Sequence, residues 1–230
     1  HSYEKPSRKP WGISRLKAYW KKLCLFHKIF YRHYDVCIVF RGDYSPSANI
    51  FSRFSRARKR IGLGGPQKRG NYTHFISPPA QEHEILYCFT FLKPLGIVYQ
   101  DEKPSMILDS LKAKRYHFLK GRILCHLSSR LEQNRINKEK WIEIIRGIGE
   151  KVVVTSTPED VAMANEICQE TGSTFIKTSS FSDLSCIVAN VKLAVTLDGG
   201  VVHAAAALKV KVVVIAGKDN IKRWYPWGFK

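Results

Sequence analysis

Between residues 123 and 216 short, uninterrupted apolar runs alternate with segments whose apolar residues recur at helical spacing. The runs cover 123–127, 151–155, 174–176, 193–197 and 212–216, and each predicts a buried strand. Helices are predicted between them over 138–148, where Trp141, Ile144 and Ile145 share a face, and over 158–171 and 182–191. Pro158 suits the first turn of the second of these, and Glu159 and Asp160 suit its dipole. After the fourth run Asp198-Gly199-Gly200 breaks the pattern, His203 follows, and Ala204-Ala205-Ala206-Ala207-Leu208 reads as a helix before the last strand. Strict strand–helix alternation predicts a parallel sheet covered by helices on both faces. Paired glycines at a strand-to-helix turn let backbone N–H groups approach a phosphate, or serve the turn's dihedrals alone.

The first half is less regular. Leu16, Tyr19, Trp20, Leu23, Phe26, His27 and Phe30 recur at helical spacing from Ile13 onward. Such a helix either docks on a membrane surface or packs on its own domain, and packing is the expectation. Residues 34–40 predict a buried strand closed by Arg41-Gly42-Asp43-Tyr44, and 48–54 a short helix. Residues 56–62 predict a basic approach to a strand, 62–79 a Gly/Pro-rich loop, and 82–95 a helix ending near Pro94 and Gly96. The junction is expected at 112–121, giving domains 1–115 and 116–230.

A chain of 230 residues with 44% hydrophobic content can bury a core, and no segment reaches the roughly 18 apolar residues of a membrane span. The net charge of +19 is unevenly placed: residues 1–120 hold 23 Lys and Arg against 8 Asp and Glu, and residues 121–230 hold 15 against 11. The first half therefore suits an anionic partner. Six scattered cysteines without a C-x-x-C pair read as buried free thiols of a reducing compartment. No G-x-G-x-x-G, Walker A sequence or metal-ligand spacing occurs, which disfavours NAD enzymes, P-loop ATPases and metal sites.

The residues following the strands form one set: Ser128-Ser129-Arg130; Ser156-Thr157-Pro158-Glu159-Asp160; Thr178-Ser179-Ser180; Asp198-Gly199-Gly200 with His203; and Lys218-Asp219 with Arg223-Trp224. Ligands of open parallel sheets bind beyond the carboxyl ends of the strands. Hydroxyls, N–H groups and cations suit a pyrophosphate, and a carboxylate suits ribose. Each residue also has a plain structural use, as a helix cap, a dipole partner or a core histidine.

At these residues the chain resembles the ADP-heptose:lipopolysaccharide heptosyltransferases. The motifs are Asp198-Gly199-Gly200-Val201-Val202-His203 leading into Ala205-Ala206-Ala207-Leu208, then Gly217-Lys218-Asp219-Asn220 and Arg223-Trp224-Tyr225-Pro226-Trp227-Gly228. Leu124 to Arg130 resembles the family's strand and phosphate loop, and Tyr34-Asp35 through Gly42, Arg60-Ile61-Gly62 and His83 to Ile97 resemble its N-terminal domain. The resemblance implies an α/β protein of the GT-B class with two Rossmann-like parallel-sheet domains. The N-terminal one is expected to be incomplete, because the family's first strand has no counterpart here, and the family's C-terminal helices after the Trp-Gly ending are expected to be missing as well. Gly199 stands where the family has a threonine, and Lys218-Asp219-Asn220 replaces Pro-Thr-Asp. A lysine of the family has no match; Asn134 and Arg135 stand near its place, and Arg135 or Arg130 would substitute for it.

The resemblance implies metal-independent transfer of heptose from ADP-heptose to the inner core of lipopolysaccharide, with no cofactor beyond the ADP-sugar. It implies a cytoplasmic enzyme, peripheral to the anionic inner membrane surface of a Gram-negative bacterium, with no nucleic-acid partner. Ser128, Ser129, Gly199 and Gly200 would donate to the pyrophosphate, with Arg130 as support. Glu159 or Asp160 would take the ribose, Asp198 would face the sugar, and His203 the phosphate. Asp43 is the carboxylate offered as catalytic base. Basic residues of the first domain, among them Arg41, Arg53, Arg56, Arg58, Lys59, Arg60, Lys68 and Arg69, would meet the acceptor. Two other readings stay open: a basic, non-catalytic module binding nucleic acid or anionic lipid, and a GT-B transferase using another nucleotide sugar.

Overall fold

The computed structural model describes residues 12–41, 43–64, 70–77, 82–149, 151–217 and 221–228. The chain forms two compact units, His1–Gln100 and Asp101–Lys230. Trp11, Gly42, Lys68, Arg69 and the Lys218-Asp219-Asn220 turn lie outside the described residues.

In the first unit α1 (Ile13–Phe30) precedes β1 (Val36–Ile38), α2 (Pro46–Phe54), β2 (Lys59–Leu63), β3 (His74–Ile76) and α3 (Glu84–Thr90). The three strands pair in parallel in the order β1-β2-β3. Ile61, Ile76, Tyr87 and Phe91 form the core beneath them. Strand β3 lies inside the stretch expected to be a loop, with Ile61, Gly62 and Leu63 opposite His74, Phe75 and Ile76. Gly62 is a strand residue on which the Tyr72 ring lies so closely that a Cβ has no room. Glycine here marks a close approach and not a turn. The segment expected to be a buried strand is shorter and only half-buried, with Tyr34 and Phe40 exposed at its flanks. The helix expected over 82–95 ends at Thr90, and a 3-10 turn over Lys93–Leu95 follows.

Helix α1 packs on its own unit through one face. Phe26 stacks on Phe51 of α2 at a centroid distance of 4.4 Å and meets Phe54 at a tilt at 4.5 Å, and Ala18 is buried. Leu16, Trp20 and Leu23 remain exposed. Among the described residues no helix is long and apolar enough to cross a membrane.

The second unit contains α4 (Ser110–Lys114), β4 (Ile123–His126), α5 (Lys138–Ile148), β5 (Val152–Thr155), α6 (Val161–Thr171), β6 (Thr174–Phe175), α7 (Phe181–Val188), β7 (Leu193–Leu197), α8 (Gly200–Ala207), β8 (Lys211–Ile215) and α9 (Ile221–Trp224). Its five strands run parallel in the order β6-β5-β4-β7-β8. Alternate residues of a strand face opposite sides of a sheet. Cys125, Val154 and Val195 accordingly join Trp141, Ile145 and Ile167 of α5 and α6 in one core layer. Leu124, Val153 and Ala194 join Leu184, Ile187, Val201 and Ala205 of α7 and α8 in the other. Burial on both faces is why these strands read as continuous apolar runs.

Residues 109–120, which overlap the stretch 112–121 expected as the junction, pack with this unit. Tyr116 and Leu119 join its second core layer, and Asn190 Nδ2 donates to the Ala113 carbonyl at 3.0 Å. The Pro158 segment is a 3-10 turn over Pro158–Asp160, with the α-helix starting at Val161. All six cysteines are free; Cys125 and Cys186 are buried, whereas Cys24 is exposed. Burial pushes the Cys125 thiol up to about 12, so it is an inert core group.

Candidate nucleotide-diphosphate cleft

Parallel strands place their carboxyl ends on one edge, so the loops after β4, β5, β6 and β7 come together there. They line a cleft of about 940 Å³ with the start of α8 and with Arg223 and Trp224 of α9. Of the residues given a role toward the substrate in the sequence, Ser128, Ser129, Arg130, Asp198, Gly199, Gly200 and His203 line it. Arg135, Glu159 and Asp160 are not part of the lining. Asp43 belongs to the first unit, exposed in the loop between β1 and α2.

Asp160 and Arg135 brace the lining. Ser128 Oγ donates to Asp160 Oδ2 at 2.6 Å and accepts from the Thr157 amide at 2.9 Å and the Thr157 hydroxyl at 3.2 Å. Its single proton and both lone pairs are then engaged. Arg135 Nη1 meets Asp160 Oδ1 at 3.3 Å, and Arg135 Nε donates to the Ser129 carbonyl at 2.8 Å. Ser129 Oγ donates to the Asp198 carbonyl at 3.2 Å and accepts from the Leu131 amide at 3.3 Å. The loop after β4 is thus tied to the loop after β5 through Ser128 and to the loop after β7 through Ser129. In this arrangement both serine hydroxyls fix the loops to one another, a different use from direct donation to a ligand.

Donors for a ligand lie elsewhere in the lining. A helix start leaves its first N–H groups without intrahelical carbonyls. At α8 these belong to Gly200 and Val201, both in the lining, while the Val202 amide closes the first turn on the Gly199 carbonyl at 3.2 Å. Gly199 is extended, and a Cβ there would meet no protein atom within 4 Å. Neither backbone nor neighbours demand a glycine at that point. Its missing side chain instead leaves the approach to the amides open. At Gly200 a Cβ would come within 3.3 Å of the Phe181 ring, which stands on the β6 side of the cleft.

Arg130 and Arg223 supply positive charge to the lining, and Asp198 is its carboxylate. Arg223 lies 5.7 Å from the Trp224 ring, and the His203 ring meets Trp224 edge-on at 6.1 Å. On the β6 side, Ser180 Oγ accepts from the Asp183 amide at 3.2 Å, capping α7. Hydrogen bonding from Ser179 holds the Asp183 carboxyl below the usual carboxylate range.

His126 lines the cleft although the sequence pattern offered it only as part of a strand. It is buried, and its Nδ1 lies 3.0 Å from Thr155 Oγ1. Burial lowers its pKa to about 4, against a smaller opposing pull from Asp160, so the ring is neutral near pH 7. An imidazole at the carboxyl end of an apolar strand was the available signal. Phe181 was missed because a lone aromatic at a helix start reads as packing. Glu159 is exposed, and hydrogen bonding from Thr157 holds its carboxyl below the usual range. Among the described residues no group of three or more His, Cys, Asp or Glu is placed to hold a metal ion.

Comparison with known proteins agrees with this architecture. The family model described as glycosyltransferase family 9 (heptosyltransferase) matches residues 23–230. No curated protein sequence matches the chain. Among solved structures, a family 9 glycosyl transferase from Veillonella parvula superposes with a TM-score of 0.72 at 15% identity, over 94% of this chain and 65% of that one. The E. coli heptosyltransferase WaaC with ADP gives 0.71 at 15% identity, over 94% and 72%. The E. coli ADP-heptose lps heptosyltransferase II gives 0.70 at 14% identity, over 90% and 70%. The chain thus spans about two thirds of the length of these proteins and shares their GT-B fold of parallel-sheet α/β units. By the match over residues 23–230, the chain belongs to glycosyltransferase family 9, the heptosyltransferase family.

Proposed function

We propose that the second unit holds the ADP moiety of ADP-heptose and that the protein transfers the heptose to the inner core of lipopolysaccharide, without a metal ion. The observation that carries this reading is the cleft at the strand ends, with the α8 amides and two arginines in its lining. The similarity in fold to the E. coli protein solved with ADP supports it. In the reaction, a bond forms between the acceptor oxygen and the anomeric carbon. The bond from that carbon to the diphosphate breaks, and its electron pair leaves with ADP. Helix-start amides and guanidinium groups stabilise the negative charge that grows on the leaving diphosphate. Asp198 faces the sugar and His203 the phosphates. Glu159 or Asp160, which follow Pro158 of the lining, is the carboxylate offered for the ribose, and Asp160 is also engaged with Ser128 and Arg135. Asp43 is the carboxylate offered for the acceptor's proton. The acceptor's phosphates and acidic sugars suit the basic first unit, and the site of action is the cytoplasmic face of the inner membrane.

Titration calorimetry of the whole chain with ADP tests the site. Saturable binding is expected, and Gly199→Val is expected to abolish it without unfolding the protein, since the new side chain enters space free of protein atoms. Wild-type affinity in that variant overturns the assignment. Salt-sensitive binding of single-stranded DNA with no response to ADP favours the non-catalytic module instead.

A further inference from the structure

Helix α1 carries three sectors around its axis. With about 3.6 residues per turn, Ala18, Leu25, Phe26 and Ile29 fall on the side packed toward α2. Leu16, Tyr19, Trp20, Leu23 and Phe30 fall on an adjoining arc of roughly 100°. Leu16 is 70% exposed, Trp20 67% and Leu23 60%, so this arc is an open apolar surface. Lys17, Lys21 and Lys28, all exposed, form the next strip. Tyr31 continues the apolar arc beyond the helix end.

The geometry points to α1 as the surface by which the protein docks, in the plane of the interface, on an anionic phospholipid bilayer. A helix lying in that plane needs an apolar face bearing leucine and aromatic side chains, bordered by lysines that reach anionic headgroups. Trp20 and Tyr19 suit the boundary between headgroups and acyl chains. Charge complementarity selects the occupant. The apolar arc borders a strip of three lysines, and the chain as a whole carries +19. A second copy would bring the same lysine strips together. The inference deepens the peripheral-membrane part of the proposed function but does not need its chemistry, because ADP binding in the second unit and lipid binding by α1 are measured separately.

The test is co-sedimentation of the whole chain with phosphatidylcholine vesicles, with and without about one third phosphatidylglycerol. Binding is expected to the anionic vesicles and to fall steeply with salt. Leu16→Ser with Leu23→Ser is expected to weaken it at least about ten-fold, while thermal melting and ADP titration stay as in the wild type. These side chains are exposed, so the change leaves the packed face of α1 intact. Lys17→Glu with Lys21→Glu is the second variant, expected to abolish the preference for anionic vesicles. Failure of the wild type to bind, or unchanged binding by the serine variant, overturns the proposal. So does a dimer that the serine variant dissolves without any lipid binding, which would assign the face to a second copy. Single-stranded DNA binding that the serine variant abolishes, with no vesicle binding, overturns it in favour of nucleic acid.

Discussion

The two units build parallel sheets of different completeness. In the second, β4 is flanked by β5 and β7, and helices cover both faces, so every residue of β4 and β5 is buried. In the first, three short strands share a core of Ile61, Ile76, Tyr87 and Phe91, and β1 is half-buried throughout. A sheet finished on both faces fixes where its strand ends lie, and that precision lets Ser128, Ser129, Arg135 and Asp160 tie three loops together. The first unit instead leaves its basic and aromatic groups on surfaces: one face of α1 and exposed loops. The difference teaches that loops are held in fixed register where the sheet beneath them is covered on both faces, and not where its strands are short and half-buried.

The sharpest way to break this comparison is to damage each core separately. Trp141 and Phe91 are both fully buried, and truncating either to alanine is expected to cost about 3–5 kcal/mol. Trp141→Ala should abolish ADP binding at temperatures where the damaged unit has melted. Phe91→Ala should destabilise β1 to β3 in hydrogen exchange and leave the ADP titration unchanged. Loss of ADP affinity in Phe91→Ala would show that the cleft is not self-contained in the second unit.

A pH titration sharpens the comparison next. His126 is held neutral, with a pKa of about 4 against the ordinary 6.5. Between those two values the unfolded chain takes up a proton that the folded chain refuses, so stability falls as pH drops from 6.5 towards 4. The loss is on the order of 3 kcal/mol. His126→Gln cannot titrate and keeps a partner for Thr155, so its stability should stay level across that window. Denaturant unfolding at each pH measures both proteins. A parallel fall in the variant would place the proton uptake on other groups.

Asp160 tests the brace itself. Asp160→Asn keeps the shape but weakens the charge-assisted bonds to Ser128 and Arg135. Because Arg135 is 40% exposed, solvent screens part of that pair, and a cost of about 1–2 kcal/mol is expected. ADP affinity should fall about ten-fold, since the loop bearing Ser129 and Arg130 is no longer held. A full loss of ADP binding with unchanged stability would instead make Asp160 a direct ligand group.

The same contrast explains what could be read before the structure. The second unit was legible almost element by element, because strands buried on both faces give unbroken apolar runs and the helices between them keep a regular period. Helix α5 and strand β7 fall where that pattern puts them. Strand β3 was not legible: three residues in a Gly/Pro-rich stretch carry too short a pattern, and Gly62, at the start of the expected loop, gives no sign in the sequence that Tyr72 lies on it. The sequence located the loops that line the cleft but not how their hydroxyls are used. Whether Ser128 donates to a ligand or to Asp160 depends on a contact 32 positions away along the chain, and no local pattern encodes it.

The smallest effect separates the two units at the level of a single helix cap. Asn137 Oδ1 accepts from the Lys140 amide at 3.0 Å at the start of α5, whereas Ser45 Oγ accepts from the Ala48 amide at 3.4 Å at the start of α2. Both caps satisfy one of the helix's unpaired N–H groups, and a good one is worth about 1 kcal/mol. Asn137→Ala is therefore expected to cost about 1 kcal/mol in chemical denaturation. Ser45→Ala should cost less, because its bond is longer and Pro46 already sets the first helical turn. Equal costs would mean that the first unit is held at its loops as tightly as the second, and the contrast between a braced and an open sheet would then rest on the strands alone.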